Sequence, residues 1–209
     1  MIYFTKIINN NLLKNYIINY KKIKFKNFEF CAQKILSRLL IKKCICNNFD
    51  LKYKDIIFEK YFTGKPFIKN YSYIYYNMSH TNSAIICSLN NSPVGIDIEK
   101  IRNLNNLIFD KYFYDREKKY VMKSGGLKNK NKKFFEIFTK KEAYIKYFGE
   151  WDFLDFSHVN IFKINKNIKF LNFEICDFSV SVCFKNKDFN KNIFNISQKK
   201  LIEFGVNNA

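Results

Sequence analysis

Hydrophobic and acidic residues alternate strictly between residues 94 and 100. The apolar positions are Val94, Ile96 and Ile98, and the acidic positions are Asp97 and Glu99. Because successive side chains of a strand point to opposite faces, this alternation predicts a strand with one buried, apolar face. The two carboxylates would lie side by side on the other face.

A second segment has the spacing of a helix. At about 100° per residue, one apolar stripe is formed by Phe134, Phe138, Ile145 and Phe148. Glu142 and Lys146 lie one turn apart on the flank of that stripe. A helix packed on the strand could present both side chains to the strand's carboxylates, although a surface ion pair is the simpler interpretation of these two residues alone.

The remaining pattern predicts a mixture of helices and strands. Helices are predicted at residues 27–41 and 105–123, and strands at 71–78, 83–89, 158–164, 167–176 and 178–184. The first two of these strands and the strand at 94–100 would form a meander over residues 73–100. A polar, glycine-bearing loop is predicted at 124–131. Since the order lacks repeated βαβ units, the predicted fold class is α+β.

The chain has 209 residues and a formal net charge of +19. This length suffices for one domain or two small ones. The positive field attracts polyanions, but the lysines are spread along the chain and no nucleic-acid recognition motif is visible, so nucleic acid is not the predicted partner.

The apolar runs are short and broken by lysine or asparagine, so no membrane-spanning helix is predicted. The first residues lack the layout of a signal peptide, which predicts a cytoplasmic protein. The six cysteines include no C-x-x-C pair and predict no zinc site.

The paired carboxylates are the first candidate for chemistry. Neighbouring carboxylates repel each other unless a cation or hydrogen bonds offset the repulsion. Mg²⁺ is typically bound by one or two carboxylates together with substrate phosphates. Asp97 and Glu99 therefore predict a magnesium site, with a solvated strand face as the alternative.

Four short motifs occur in order along the chain. Residues 64–66 are Gly-Lys-Pro, residues 77–80 are Asn-Met-Ser-His, residues 95–99 are Gly-Ile-Asp-Ile-Glu, and residues 138–146 are Phe-Thr-Lys-Lys-Glu-Ala-Tyr-Ile-Lys. Together they resemble the signature of the Sfp-type 4′-phosphopantetheinyl transferases. The resemblance is strong over residues 64–146 and weakens in the N-terminal third.

The resemblance implies a fold and an activity. The fold would be two similar α+β halves, residues 1–93 and 94–209, with the active site in the cleft between them and the metal site in the second half. The protein would be a monomer that transfers the phosphopantetheine arm of coenzyme A to a serine of an apo acyl or peptidyl carrier protein. The reaction would depend on Mg²⁺ and release 3′,5′-ADP, with no nucleic acid or membrane as partner. A non-catalytic relative that binds coenzyme A or a carrier is the alternative, together with a basic nucleic-acid-binding protein.

The resemblance also implies roles at the reacting centre. Asp97, Glu99 and Glu142 would hold Mg²⁺ against the diphosphate. Lys146 would pair with a phosphate oxygen and stabilise or protonate the leaving group. The base that takes the serine proton would be Glu117 or Glu142, and for Glu117 a solvated helix carboxylate is the alternative.

Four further residues would bind coenzyme A by the same resemblance. Lys65 would reach a phosphate from the Gly-Lys-Pro turn, and Ser79 and His80 would bond to phosphates, with His80 at the 3′-phosphate. Lys34 stands where family members carry a nucleotide-binding arginine. The basic run at residues 21–26 could serve the same end, with a solvated stretch as the alternative.

Overall fold

The computed structural model describes residues 1–8, 11–21, 28–104, 106–149, 156–185 and 189–208. Most of the basic run at residues 21–26 lies outside these ranges. The helices are α1 Asn11–Lys21, α2 Phe28–Phe49, α3 Asn106–Tyr112, α4 Asp115–Met122, α5 Leu127–Phe148 and α6 Gln198–Asn207. The strands are β1 Ile2–Lys6, β2 Phe58–Lys60, β3 Pro66–Ile68, β4 Tyr75–His80, β5 Ala84–Asn90, β6 Val94–Lys100, β7 Lys169–Ile175, β8 Phe178–Phe184 and β9 Ile193–Asn195.

The described elements stack as helices, sheet, sheet and helices. The first sheet has the order β4-β5-β1-β9 and the second the order β6-β8-β7, while β2 and β3 form a separate hairpin. One face of the first sheet packs against α1, α2 and α6. Its other face packs against the second sheet, whose far side is covered by α5. The predicted α+β class is confirmed.

The alternation in β6 has the predicted consequence. Val94, Ile96 and Ile98 are at most 1% exposed and pack against apolar residues of β8, β1 and β5. The opposite face of β6 lies against α5, and Gly95 sets how close the helix comes. A Cβ at Gly95 would overlap the backbone of Ala143 and Tyr147, so only glycine permits this approach.

A polar contact also joins α5 to β8, the strand next to β6. The Thr139 hydroxyl, fully buried on α5, lies 2.8 Å from the hydroxyl of Ser181 on β8. It also donates to the carbonyl of Phe135 one turn earlier, which satisfies a hydroxyl that would be costly to bury alone.

Several predicted elements are wrong in partner or extent. The meander over residues 73–100 is wrong, because β6 leaves β5 and pairs antiparallel with β8. Its apolar face is buried between the sheets instead of extending the first one. The strand predicted at 158–164 is wrong, since residues 156–158 and 161–163 form short 3₁₀ turns. The loop predicted at 124–131 is too long because α5 begins at Leu127.

Two helices differ from the predictions in their boundaries, and α5 differs in its buried stripe. The helix predicted at 105–123 is divided into α3 and α4, and α2 continues past residue 41 to Phe49. On α5, Phe134 and Ile145 of the predicted stripe are buried, but Phe148 is 42% exposed near the helix end.

The end of the described chain returns to the beginning. β9 pairs parallel to β1, and α6 packs on α2 with Leu201 and Ile202 in the same core as the first sheet. Residues after 93 therefore pack into the core of the first sheet, across the predicted domain boundary. That boundary stays a prediction. Within the described residues, no helix is both long enough and apolar enough to cross a bilayer.

We predict that Gly95→Ala lowers the free energy of unfolding by about 3 kcal/mol, because the new methyl group meets backbone atoms that cannot rotate away. Urea unfolding would measure the loss. Gly125→Ala is the control, since Gly125 has a positive φ but open space around it, and should cost about 1 kcal/mol of backbone strain. Equal losses for the two variants would contradict the tight contact.

Candidate active site

Asp97 lies at the centre of a buried polar group between β4, β6 and α5. Its side chain is 4% exposed, and its Oδ1 accepts hydrogen bonds from Ser79 Oγ at 2.7 Å and from Lys146 Nζ at 2.5 Å. Lys146 Nζ also donates to Ser79 Oγ at 2.9 Å. Among the described residues, the other carboxylate oxygen, Oδ2, has no hydrogen-bond partner although it is buried. An unpaired buried carboxylate oxygen is costly and is a ready ligand for a cation.

Glu99 and Glu142 share the electrostatic field of Asp97. Burial and then the charge of Asp97 raise the pKa of Glu99 from 4.5 to about 7. The same two causes raise the pKa of Glu142 from 4.5 to about 7, with Lys146 opposing them. Three carboxylates in one field disfavour one another's ionisation, so a hard cation would relieve the repulsion.

The two faces of β4 lie against different parts of the structure. Asn77 and Ser79 point towards β6, where Asn77 Oδ1 accepts the backbone N–H of Ile96 at 3.0 Å. Met78 and His80 point the other way and line a cavity of about 460 Å³. Ser79 and His80 are thus adjacent in sequence but face different sides of the strand, as the period of two requires.

Basic side chains line this cavity on several sides. Its walls come from α2, the β2–β3 hairpin and β4, and its charged or basic side chains are Lys34, Arg38, Lys60 and His80, with Glu59 as one acidic member. The Arg38 guanidinium lies 5.6 Å from the centre of the Phe58 ring. Burial lowers the pKa of His80, and the charge of Lys146 lowers it further while Asp97 opposes both. His80 therefore lies within electrostatic reach of the acidic group.

Arg38 was not predicted as a site residue, although the sequence carried a signal for it. It lies one turn after Lys34, and residues four apart share a face of a helix. A helix that presents Lys34 to a ligand would present Arg38 as well.

Lys65 is not brought to Asp97. Its ammonium donates to the carbonyl of Tyr147 in the last turn of α5, and its stem packs beside Gly149, where the helix ends. A lysine at this place satisfies a helix-terminal carbonyl. Burial lowers the pKa of Lys65 to about 8. Its predicted contact with a phosphate stays a prediction.

Glu117 is also not brought to the acidic group. Its side chain is fully buried, with Oε2 2.9 Å from Lys141 Nζ, which is buried equally. The same oxygen accepts the N–H of Tyr114, and Oε1 accepts the N–H of Ile161. The two carboxylate oxygens thus link α4, α5 and the turn at residues 161–163, so Glu117 stabilises the fold. Its role as a base stays a prediction.

The donor set fits a magnesium ion in chemistry, but it is not preformed. Among the described residues, no three histidine, cysteine, aspartate or glutamate side chains are already arranged to enclose a metal. The orphan oxygen of Asp97 and the raised pKa values of Glu99 and Glu142 nevertheless describe oxygen ligands that a divalent cation would stabilise. The metal assignment stays a prediction.

Two protein-family models match almost the whole chain. The 4′-phosphopantetheinyl transferase superfamily matches residues 93–197, and the N-terminal region of 4′-phosphopantetheinyl transferase matches residues 11–91. The first match covers the strand, the helix and the acidic group described above. The chain belongs to the 4′-phosphopantetheinyl transferase superfamily.

Individual relatives agree with the family. The 4′-phosphopantetheinyl transferase gsp of Aneurinibacillus migulanus is 32% identical over 146 residues, which is 69% of this chain and 59% of the relative. The 4′-phosphopantetheinyl transferase psf-1 of Bacillus pumilus is 28% identical over 66% of this chain and 60% of the relative. Sfp of Bacillus subtilis (strain 168) is 27% identical over 68% of this chain and 64% of the relative. The matches span about three fifths of the length of these relatives.

We predict that Lys141→Met lowers the free energy of unfolding by about 4 kcal/mol, because it leaves the Glu117 carboxylate buried without its cation. The control is Lys132→Met. Lys132 lies on the same helix as Lys141 and forms an exposed ion pair with Glu174 of β7, and its loss should cost at most about 1 kcal/mol. Adding Glu117→Leu to Lys141→Met should recover part of the loss. Similar melting temperatures for Lys141→Met and Lys132→Met would contradict this account.

We predict that Glu99 and Glu142 together lower the stability of the metal-free protein as the pH rises from 4.5 to 7. The folded state holds protons on Glu99 and Glu142 that the unfolded chain has already released, so a rising pH favours unfolding. The measurement is the free energy of unfolding in EDTA across this range, for wild type and for Glu99→Gln/Glu142→Gln. The double variant should show a flatter dependence, and parallel curves would refute the raised pKa values.

Proposed function

We propose that this protein transfers the 4′-phosphopantetheine arm of coenzyme A to a serine of an apo carrier protein. The observation that carries the proposal is the contact of Asp97, Ser79 and Lys146 on one side of β4, with a basic cavity on the other side. An acidic group beside a cavity that carries basic side chains suits a metal-assisted phosphoryl transfer. The names of the relatives support the same reaction.

Asp97, Glu99 and Glu142 are the proposed ligands of Mg²⁺. When bound, Mg²⁺ would neutralise charge on the diphosphate of coenzyme A and on the departing 3′,5′-ADP. The chain's own contribution is to hold these three carboxylates near enough that the charge of Asp97 raises the pKa of the other two, and their mutual repulsion favours a cation.

Lys146 and Glu142 are the proposed reacting side chains. The ammonium of Lys146 already lies among anionic and hydroxyl oxygens, so it can pair with a phosphate oxygen and stabilise the leaving group. Of the two candidate bases, Glu142 shares the field of Asp97 whereas both oxygens of Glu117 are occupied in the interior. We therefore assign the serine proton to Glu142.

The basic cavity is the proposed site of the nucleotide end of coenzyme A. Its volume of about 460 Å³ is in the range of small-molecule sites. Lys34, Arg38 and His80 supply cationic or hydrogen-bonding groups for the 3′-phosphate, and the arginine can bind it with two parallel hydrogen bonds.

The finer architecture belongs to the same proposal. We take the active site to lie between an N-terminal half and a C-terminal half, and the two family matches meet near residue 92 in support of this division. A monomer in the cytoplasm, with coenzyme A and an apo carrier as partners, is the working form. The high positive charge suits an acidic carrier.

The transfer itself is tested by incubating the protein with coenzyme A, Mg²⁺ and an apo carrier and weighing the carrier by mass spectrometry. We expect the mass of one phosphopantetheine to be added. Asp97→Asn should lower the rate at least about a hundredfold, since it weakens the proposed metal site, whereas the exposed control Asp110→Asn should not change it. Full activity of Asp97→Asn at saturating Mg²⁺ would remove Asp97 from the site.

The nucleotide cavity is tested with dephospho-coenzyme A, which lacks the 3′-phosphate. Arg38→Ala should weaken binding of coenzyme A about tenfold and leave dephospho-coenzyme A nearly unaffected, because a bond to a charged group contributes about 1.5–3 kcal/mol. Calorimetric titration gives both constants. Arg116→Ala, which removes another arginine stacked on an aromatic ring, is the control. Equal weakening of both ligands by Arg38→Ala would place the 3′-phosphate elsewhere.

A further inference from the structure

Strands β4 and β6 lie side by side where the two sheets meet, but in the described part of the chain they are not paired by backbone hydrogen bonds. β6 pairs with β8 along one edge, and its other edge lies beside β4, which belongs to the first sheet. Among the described residues, no backbone hydrogen bond joins β4 to β6. The strand that carries Asp97 therefore depends on side chains to fix its position against β4.

The N–H of Ile96 needs a partner at this edge. In an antiparallel pair, alternate residues direct both backbone groups to the same neighbour. The N–H of Ile101 reaches the carbonyl of Asp177, on the side of β8, and residues of the other parity, including Ile96, turn away from β8. A buried N–H without a partner costs as much as a lost hydrogen bond.

Asn77 supplies that partner. Asn77 is only 6% exposed, and its Oδ1 accepts a hydrogen bond from the Ile96 N–H at 3.0 Å. Because the donor is a backbone N–H, the accepting atom must be the amide oxygen. Two residues further along the same face of β4, Ser79 donates to Asp97 Oδ1. One strand thus holds both the main chain before Asp97 and the carboxylate of Asp97.

We infer that Asn77 is a positioning residue for the acidic group, acting through the Ile96 amide to hold the main chain of Asp97 in place for metal and coenzyme A. The inference rests on the proposed function. It gives the first residue of the Asn-Met-Ser-His motif a task that differs from those of Ser79 and His80. Asparagine suits the task because its oxygen is neutral, whereas an aspartate would add a fourth carboxylate to the group.

The test compares Asn77→Leu, which keeps the number and branching of the side-chain heavy atoms but has no acceptor, with Asn131→Leu. Asn131 is a matched control because it is buried and its Oδ1 also accepts a backbone N–H, that of Leu104, at 3.0 Å. Two quantities are measured. NMR gives the hydrogen-exchange rate of the Ile96 amide. Calorimetric titration gives the affinity for coenzyme A at a series of Mg²⁺ concentrations, and hence the concentration at which half of the gain in affinity is reached. Asn77→Ala takes the place of Asn77→Leu if the latter does not fold.

Asn77→Leu should speed exchange at Ile96 and raise the Mg²⁺ requirement about ten- to a hundredfold, the usual effect of losing a group that orients a metal ligand. Asn77→Asp, which keeps an acceptor, should restore the protection of Ile96. Asn131→Leu should change neither quantity. Faster exchange with an unchanged Mg²⁺ requirement, or a changed requirement with a protected amide, would overturn the inference. If wild type showed no Mg²⁺-dependent binding of coenzyme A, the proposed function itself would fail.

Discussion

The structure of the site depends on the close approach of α5 to β6. Gly95 has no side chain, so the helix backbone at Ala143 and Tyr147 lies directly against the strand. These two residues immediately follow Glu142 and Lys146, and Gly95 lies two residues before Asp97. One steric constraint therefore decides whether a carboxylate and an ammonium from a helix meet a carboxylate from a strand. The Gly-Ile-Asp-Ile-Glu and Lys-Glu-Ala-Tyr-Ile-Lys motifs are two sides of this joint.

The third side of the site is β4, which separates two kinds of chemistry by the period of two in a strand. Asn77 and Ser79 face the acidic group and hold β6 by hydrogen bonds. His80 faces the basic cavity on the other side. Under the proposed function, a diphosphate would lie between the proposed metal ligands and the cavity, so one short motif would serve both surfaces.

Local patterns predicted the parts of the site, and long-range packing decided the rest. The alternation from Val94 to Glu99 was sufficient to assign buried and polar faces, because both are properties of one strand. The partner of that strand could not be predicted, since β8 lies far along the chain and the choice depends on which apolar faces meet. Glu117 illustrates the same limit: its sequence context suggests a solvated helix residue or a base, while the structure buries it against Lys141.

The central claim is that the acidic group and the basic cavity form one site for Mg²⁺ and coenzyme A. The most direct test is the affinity for coenzyme A, measured by calorimetric titration with and without Mg²⁺. Because the metal would bind protein carboxylates and diphosphate together, each ligand should strengthen the binding of the other. The account predicts tighter binding of coenzyme A with Mg²⁺ in the wild type and no such gain in Asp97→Asn. Weaker binding in the presence of Mg²⁺ would indicate a general polyanion surface and contradict the account.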